Sequence, residues 1–144
     1  MQLDNLYQEV ILDHYKNPQN KALAVDNDAQ VHHVNPSCGD EVTLGVKLEG
    51  DKVISVNWDG VGCSISQAST SIMSDLLVGK SLAEASAISE DFLRLMQSKG
   101  SEEGDPEVLE DAVAFSGVSK YPARIKCALL GWMAFKDASV QASK

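Results

Sequence analysis

From Val42 the chain alternates strictly: Val42, Leu44, Val46 and Leu48 fall on one side, Thr43, Gly45 and Lys47 on the other. A period of two is the mark of a strand with one buried face. Glu49-Gly50-Asp51-Lys52 then supplies turn chemistry, and Ile54, Val56 and Trp58 alternate again. The two runs predict an antiparallel hairpin. Val31 to Val34 adds a short third strand beside it. Such a sheet has one apolar face to bury, so the remaining segments must supply the layer that covers it.

Those segments read as helices. Leu3, Leu6, Tyr7, Val10 and Ile11 recur at helical spacing, with Asp4 and Glu9 early and His14 and Lys16 late, as the helix dipole favours; Asn17-Pro18 ends the run. Residues 19 to 30 are polar and mixed, a connection. After the glycine-loosened turn Asp59-Gly60-Val61-Gly62-Cys63, a second helix is marked by Ile65, Ala68, Ile72, Met73, Leu76 and Leu77, up to Gly79-Lys80. Residues 81 to 97 read as shorter helices, with Ser81 and Ser89 as caps and Phe92, Leu93 and Met96 as the buried stripe. A last helix starts at Pro122, a favoured first-turn position, and runs through Ile125, Leu129, Trp132 and Met133. The fold class is α+β: a small three-stranded antiparallel sheet packed against several helices. With 144 residues, 44% of them hydrophobic, the chain suits a single domain with its own core.

Charge narrows the partners. The net charge is −9, and no long basic run offsets it, which argues against nucleic acid. Six acids and no base lie between Ser101 and Asp111, a solvated face or docking surface carrying two-thirds of that charge. Nowhere do 18 apolar residues run together, and Met1-Gln2-Leu3-Asp4 does not open a secretory leader, so no membrane is expected and the location is expected to be cytoplasmic.

Three cysteines cannot form a disulfide framework, and no CxxC is present. One reading makes them three small buried hydrophobes. Their surroundings favour reactive or liganding sulfur instead. Cys38 lies in the polar loop Pro36-Ser37-Cys38-Gly39-Asp40; Cys63 follows two glycines at a helix start, where backbone N–H groups stabilise a thiolate; Cys127 stands near Arg124 and Lys126. Zinc takes four ligands, and three thiolates leave one position, for which Asp40 is the nearest candidate. Its alternative role is that of a turn or strand-start residue. His32 and His33 are adjacent on a strand and point to opposite faces, so they cannot chelate one ion together.

Four motifs in order, Asp13-His14-Tyr15-Lys16-Asn17-Pro18, Asn35-Pro36-Ser37-Cys38-Gly39-Asp40, Gly60-Val61-Gly62-Cys63-Ser64-Ile65-Ser66 and Tyr121-Pro122-Ala123-Arg124-Ile125-Lys126-Cys127-Ala128, resemble the NifU N-terminal/IscU superfamily of iron–sulfur cluster assembly proteins. The resemblance runs from about Leu6 to Phe135. It implies a SufE/NifU-like fold and a shared site of Cys38, Asp40, Cys63 and Cys127. Scaffolds of the IscU type carry a histidine directly before the last cysteine and an apolar-Pro-Pro-Val-Lys motif upstream; here Lys126 precedes Cys127, and Ser119-Lys120-Tyr121-Pro122 lies upstream. Together with an acidic insertion at about 99–116, these departures are similar to the SufU type, a zinc-dependent sulfurtransferase.

That type implies an iron–sulfur biogenesis role in which a SufS-type cysteine desulfurase passes persulfide sulfur to this chain, which relays it to a downstream cluster assembly complex. Cys38 is the expected acceptor, on the most mobile loop, while Cys63 and Cys127 hold the metal from helices. Arg124 is the expected charged helper, orienting Asp40 or the incoming persulfide. Two other readings use the same residues: a scaffold holding a transient iron–sulfur cluster, and a structural zinc module.

Overall fold

A computed structural model describes residues 3–143. The elements are α1 (Leu3–Lys16), β1 (Ala29–Asn35), β2 (Asp40–Glu49), β3 (Lys52–Val61), α2 (Ser64–Leu77), α3 (Leu82–Gln97), the short α4 (Pro106–Leu109), a run of 3-10 turns from Glu110 to Lys120, and α5 (Pro122–Ala142). The three strands form one antiparallel sheet in the order β1-β2-β3. The α+β class and the three-stranded sheet are as expected, with β1 longer at both ends than Val31 to Val34.

The alternation of β2 carries through: Val42, Leu44 and Val46 are buried. In β3 it breaks. Ser55 pairs with Lys47 but Val53 pairs with Leu48, so Ile54 is the extra residue of a bulge. Val53 takes the inward place and Ile54 turns out to solvent, where simple alternation had put it inside. From Val56 onward the inward set resumes, and Trp58 is fully buried with its indole N–H donating to the Gln19 carbonyl at 2.9 Å. The polar connection between α1 and β1 is thereby tied down: the Asn27 and Asn57 amides exchange hydrogen bonds of 2.8 and 2.9 Å.

α5 lies across β1 and β2, and α2 packs between α1 and α5. Being enclosed, α2 buries hydroxyls as well as apolar groups, and each finds a partner. Ser69 donates to the Ala128 carbonyl at 2.6 Å and accepts from the Trp132 indole at 3.0 Å; Thr70 donates to the Ser66 carbonyl at 2.8 Å. Helices α2 and α5 approach closely at Gly131, where a Cβ would stand 2.4 Å from Thr70 Oγ1.

Residues 82–97 form one helix rather than shorter ones. Ser81 caps it as expected, in a reciprocal box with Glu84, but Ser89 is inside the helix and donates to the Ala85 carbonyl four residues back. The buried stripe is Phe92, Leu95 and Met96, with Leu93 only partly covered. Phe92 stacks on Trp132 of α5 at 4.2 Å. Pro122 does occupy the first turn of α5, yet Met133 faces solvent, and Leu130, Ala134, Phe135 and Ala138 make the buried face with Trp132. Tyr7, Val10 and Ile11 of α1 pack on the core, while Leu6 stays exposed and the side chains of Leu3 and Asp4 lie outside the described residues.

Candidate metal centre

The hairpin of β1 and β2 builds half of the site. Asn35 and Asp40 are register partners, which leaves Pro36, Ser37, Cys38 and Gly39 as the loop between them. The loop closes with the Cys38 N–H donating to the Asn35 carbonyl at 3.2 Å, and Gly39 takes a φ of +70°, a conformation that glycine adopts without strain. Cys38 is therefore exposed at the hairpin tip. Asp40, first residue of β2, is completely buried.

Two helix starts build the other half. Cys63 is the N-cap of α2, in extended conformation, and its side chain caps nothing. Its N–H donates to Asp40 Oδ1 at 2.9 Å, so a carboxylate satisfies a donor at the start of the helix, where negative charge is favoured. Gly62 makes this approach possible: a Cβ there would lie 2.4 Å from Asp40 Oδ1 and 2.7 Å from Ser66 Oγ. Cys127 is on the second turn of α5, fully buried.

The four side chains converge from segments 89 residues apart in sequence at the widest. Cys127 Sγ is 3.2 Å from Cys38 Sγ, and Cys63 Sγ is 4.0 Å from Asp40 Oδ2. Donor atoms of Cys38, Asp40 and Cys127 all lie within 4.8 Å of one another, and Cys63 stands at the edge of that group, beside Asp40. Burial pushes the Cys127 thiol far above its ordinary range, and the Asp40 carboxylate and the other two sulfurs push it further. A thiolate at Cys127 is therefore disfavoured unless a cation compensates it. Three sulfurs and one carboxylate oxygen, one sulfur exposed on the hairpin loop, form a donor set that fits a four-coordinate borderline ion such as zinc.

Arg124 does not reach Asp40. It is exposed on the first turn of α5, lining a cleft of 410 Å³ with Tyr7, Ile11, Ser64, Lys120 and Tyr121, and among the described residues it makes no ion pair. The Cys63 N–H, not a guanidinium, orients the carboxylate. The histidines stand apart from the sulfurs. His32 pairs with Glu41 and His33 with Asp137 of α5 at 2.9 Å, on opposite faces of β1. His14 does more than end a helix: its Nδ1 meets Ser71 Oγ at 2.8 Å, and its Nε2 lies 3.6 Å from Asp111 in the acidic segment. Sequence reasoning passed over Asn35 and Gly62, both beside the sulfurs. The signal for Asn35 was a polar residue on the inward side of an alternating strand.

Three strands in this order, helices on one face, and a cysteine-aspartate cluster at the hairpin tip define a recognisable class, and the chain belongs to the NifU-like N-terminal domain family, which matches it over residues 6–128. The zinc-dependent sulfurtransferase SufU of Bacillus subtilis is 48% identical over 134 residues, covering 93% of this chain and 89% of that protein. An iron–sulfur cluster assembly scaffold protein IscU of Streptococcus pyogenes is 40% identical, over 94% of this chain and 84% of its own length. Among solved structures, a candidate iron–sulfur cluster assembly scaffold for the SUF system of Fervidobacterium islandicum superposes with a TM-score of 0.85 at 35% identity, covering 96% of this chain and 99% of that one. The N-terminal part of a NifU-like protein from Brucella abortus gives 0.86 at 25% identity, over 98% and 96%.

Proposed function

We propose that this chain serves iron–sulfur cluster biogenesis as a zinc-held sulfur acceptor. It takes persulfide sulfur from a SufS-type cysteine desulfurase in the cytoplasm and relays it to the cluster assembly complex. The observation that carries this reading is the unequal placement of two touching sulfurs: Cys38 is exposed on a loop tip, while Cys127, 3.2 Å away, is buried on a helix. The similarity to a protein named as a zinc-dependent sulfurtransferase supports it.

In this reading Cys38, Asp40, Cys63 and Cys127 hold zinc. When bound, zinc supplies the positive charge that keeps the sulfurs as thiolates and protects them from oxidation. Cys38 is the nucleophile, because its loop exposes the sulfur and needs only local movement at Gly39 to present it. The Cys38 thiolate attacks the terminal sulfur of the partner's persulfide: a new S–S bond forms on Cys38, the donor's S–S bond breaks, and the donor cysteine departs as a thiolate. No net oxidation or reduction occurs. Asp40 stays behind, fixed by the Cys63 N–H. Arg124 and Lys120, in the cleft beside the first turns of α2 and α5, offer positive charge to the incoming anionic persulfide rather than to Asp40.

The test is to incubate the chain with a desulfurase and cysteine and map added sulfur by mass spectrometry. One sulfur on Cys38 is expected, absent in Cys38→Ser; full stimulation of the desulfurase by Cys38→Ser would overturn the assignment. The second reading, a scaffold for a transient cluster, has the same donors and the relatives named IscU behind it. Metal analysis separates the two: a colourless chain with about one zinc supports transfer, whereas iron with acid-labile sulfide supports the scaffold.

A further inference from the structure

Asn35 touches three of the four members of the cluster. Its carbonyl accepts the Cys38 N–H at 3.2 Å, its backbone is paired in register with Asp40, and its side-chain amide Nδ2 lies 3.9 Å from Cys127 Sγ. The side chain is buried, on the inward side of β1 where Val31 is also buried. A polar amide at such a place is costly unless its N–H groups are used. The partner that the fold gives this one is a sulfur.

An N–H donated to a thiolate draws electron density from it, making that sulfur a weaker nucleophile and fixing its direction. Partners of this kind around metal ligands commonly change affinity or reactivity by about 10- to 100-fold. Cys38 receives no side-chain N–H of this sort: among the described residues the hydrogen-bond partner of its sulfur is the Cys127 thiol. The two adjacent sulfurs therefore differ in electronic environment as well as in exposure.

We propose that Asn35 is a positioning residue that quiets Cys127 and thereby directs sulfur chemistry to Cys38. This rests on the reading of the cluster as a metal-held sulfur acceptor, and it adds the means by which one of two touching cysteines is selected. Asn35 is not itself a catalytic residue; it acts through the Cys127 sulfur and through the loop that carries Cys38.

The experiment compares the wild-type chain, Asn35→Leu, which keeps the volume without a donor, and Asn35→Asp, which keeps the shape but replaces the N–H with an oxygen. Each is loaded with cobalt(II), and the sulfur-to-cobalt charge-transfer band is recorded beside far-UV circular dichroism. The zinc-loaded forms are then alkylated with iodoacetamide, and the Cys127/Cys38 labelling ratio is measured by peptide mass. The expected result is a band moved to longer wavelength in both variants, with unchanged circular dichroism and a labelling ratio raised about tenfold. A merely structural role would lower metal content or helicity without moving the band. Bands and ratios equal to wild type in folded, metal-loaded variants would overturn the role of Asn35. Failure of the wild-type chain to develop a thiolate-to-cobalt band would instead overturn the underlying metal reading, so the two failures are distinct.

Discussion

Replacing Gly62 with alanine asks whether the approach of Asp40 to the start of α2 is as tight as its geometry implies. Gly62 has a φ of +154°, and an added Cβ would meet Asp40 Oδ1 at 2.4 Å, Ser66 Oγ at 2.7 Å and Asp40 Cγ at 3.0 Å. Asp40 is fully buried and cannot retreat into solvent. Holding alanine in this backbone region costs about 1–3 kcal/mol. Displacing the carboxylate from the Cys63 N–H forfeits a charge-assisted hydrogen bond, about 1.5–3 kcal/mol. Together the loss is about 2.5 to 6 kcal/mol, a large share of the roughly 5–15 kcal/mol that holds a domain folded. Gly39→Ala is the control, since it also has a positive φ, +70°, but nothing lies within 4 Å of its Cβ, and it should cost only about 1–2 kcal/mol. Urea denaturation of the metal-free chains gives both numbers, and zinc stoichiometry after reconstitution should fall for Gly62→Ala while Gly39→Ala binds fully. Equal destabilisation by the two substitutions, with equal zinc uptake, would refute the reasoning, because Gly62 alone of the two is crowded by Asp40 and Ser66.

Two further outcomes follow from groups away from the sulfurs. Ser69→Ala leaves the buried Trp132 indole N–H and the Ala128 carbonyl without their shared hydroxyl, and should cost about 1–3 kcal/mol in denaturant titration with the fold intact by circular dichroism. Glu84 is held below the ordinary carboxylate range by the Ser81 backbone N–H and then by its hydroxyl, so its contribution to α3 is present above that range and disappears as pH falls through the depressed value. The melting-temperature gap between the wild-type chain and Glu84→Ala should therefore narrow from pH 7 to pH 3; a gap that widens on acidification would contradict the capping role.

Sequence patterns reached the fold where one periodicity ruled a whole segment. The alternation of β2 and the cap at Ser81 both depend on residues within a few positions of one another, and both were legible. Ile54 was misplaced because a bulge resets the face of every residue before it, and nothing in Lys52-Val53-Ile54-Ser55 distinguishes the bulged order from regular alternation. Ser89 resembled a cap because a serine in a helix interior, bonded back to Ala85, has the same composition as one at its start. The last helix was traced through Met133, yet α5 buries the small residues Ala134 and Ala138 and leaves the large one outside. At the candidate site, the loop placement of Cys38 and the helix-start placement of Cys63 followed from local pattern. That Asp40 rests on the Cys63 N–H, and that Arg124 does not reach it, depend on how β2 and α2 meet in space, which no local pattern records.

The four-residue loop from Pro36 to Gly39 also limits how this chain can change its length. Asn35 and Asp40 close the ladder as partners, so their side chains share a face of the sheet and both reach the sulfurs. Side chains on a strand alternate, and inserting or deleting a single residue at the hairpin tip while the ladder slides to compensate would turn the Asp40 carboxyl outward. The acidic stretch near Gly104 meets no such limit, since it is a surface connection outside the sheet. Variation in length should collect there, while the hairpin loop keeps its four residues whatever their identities.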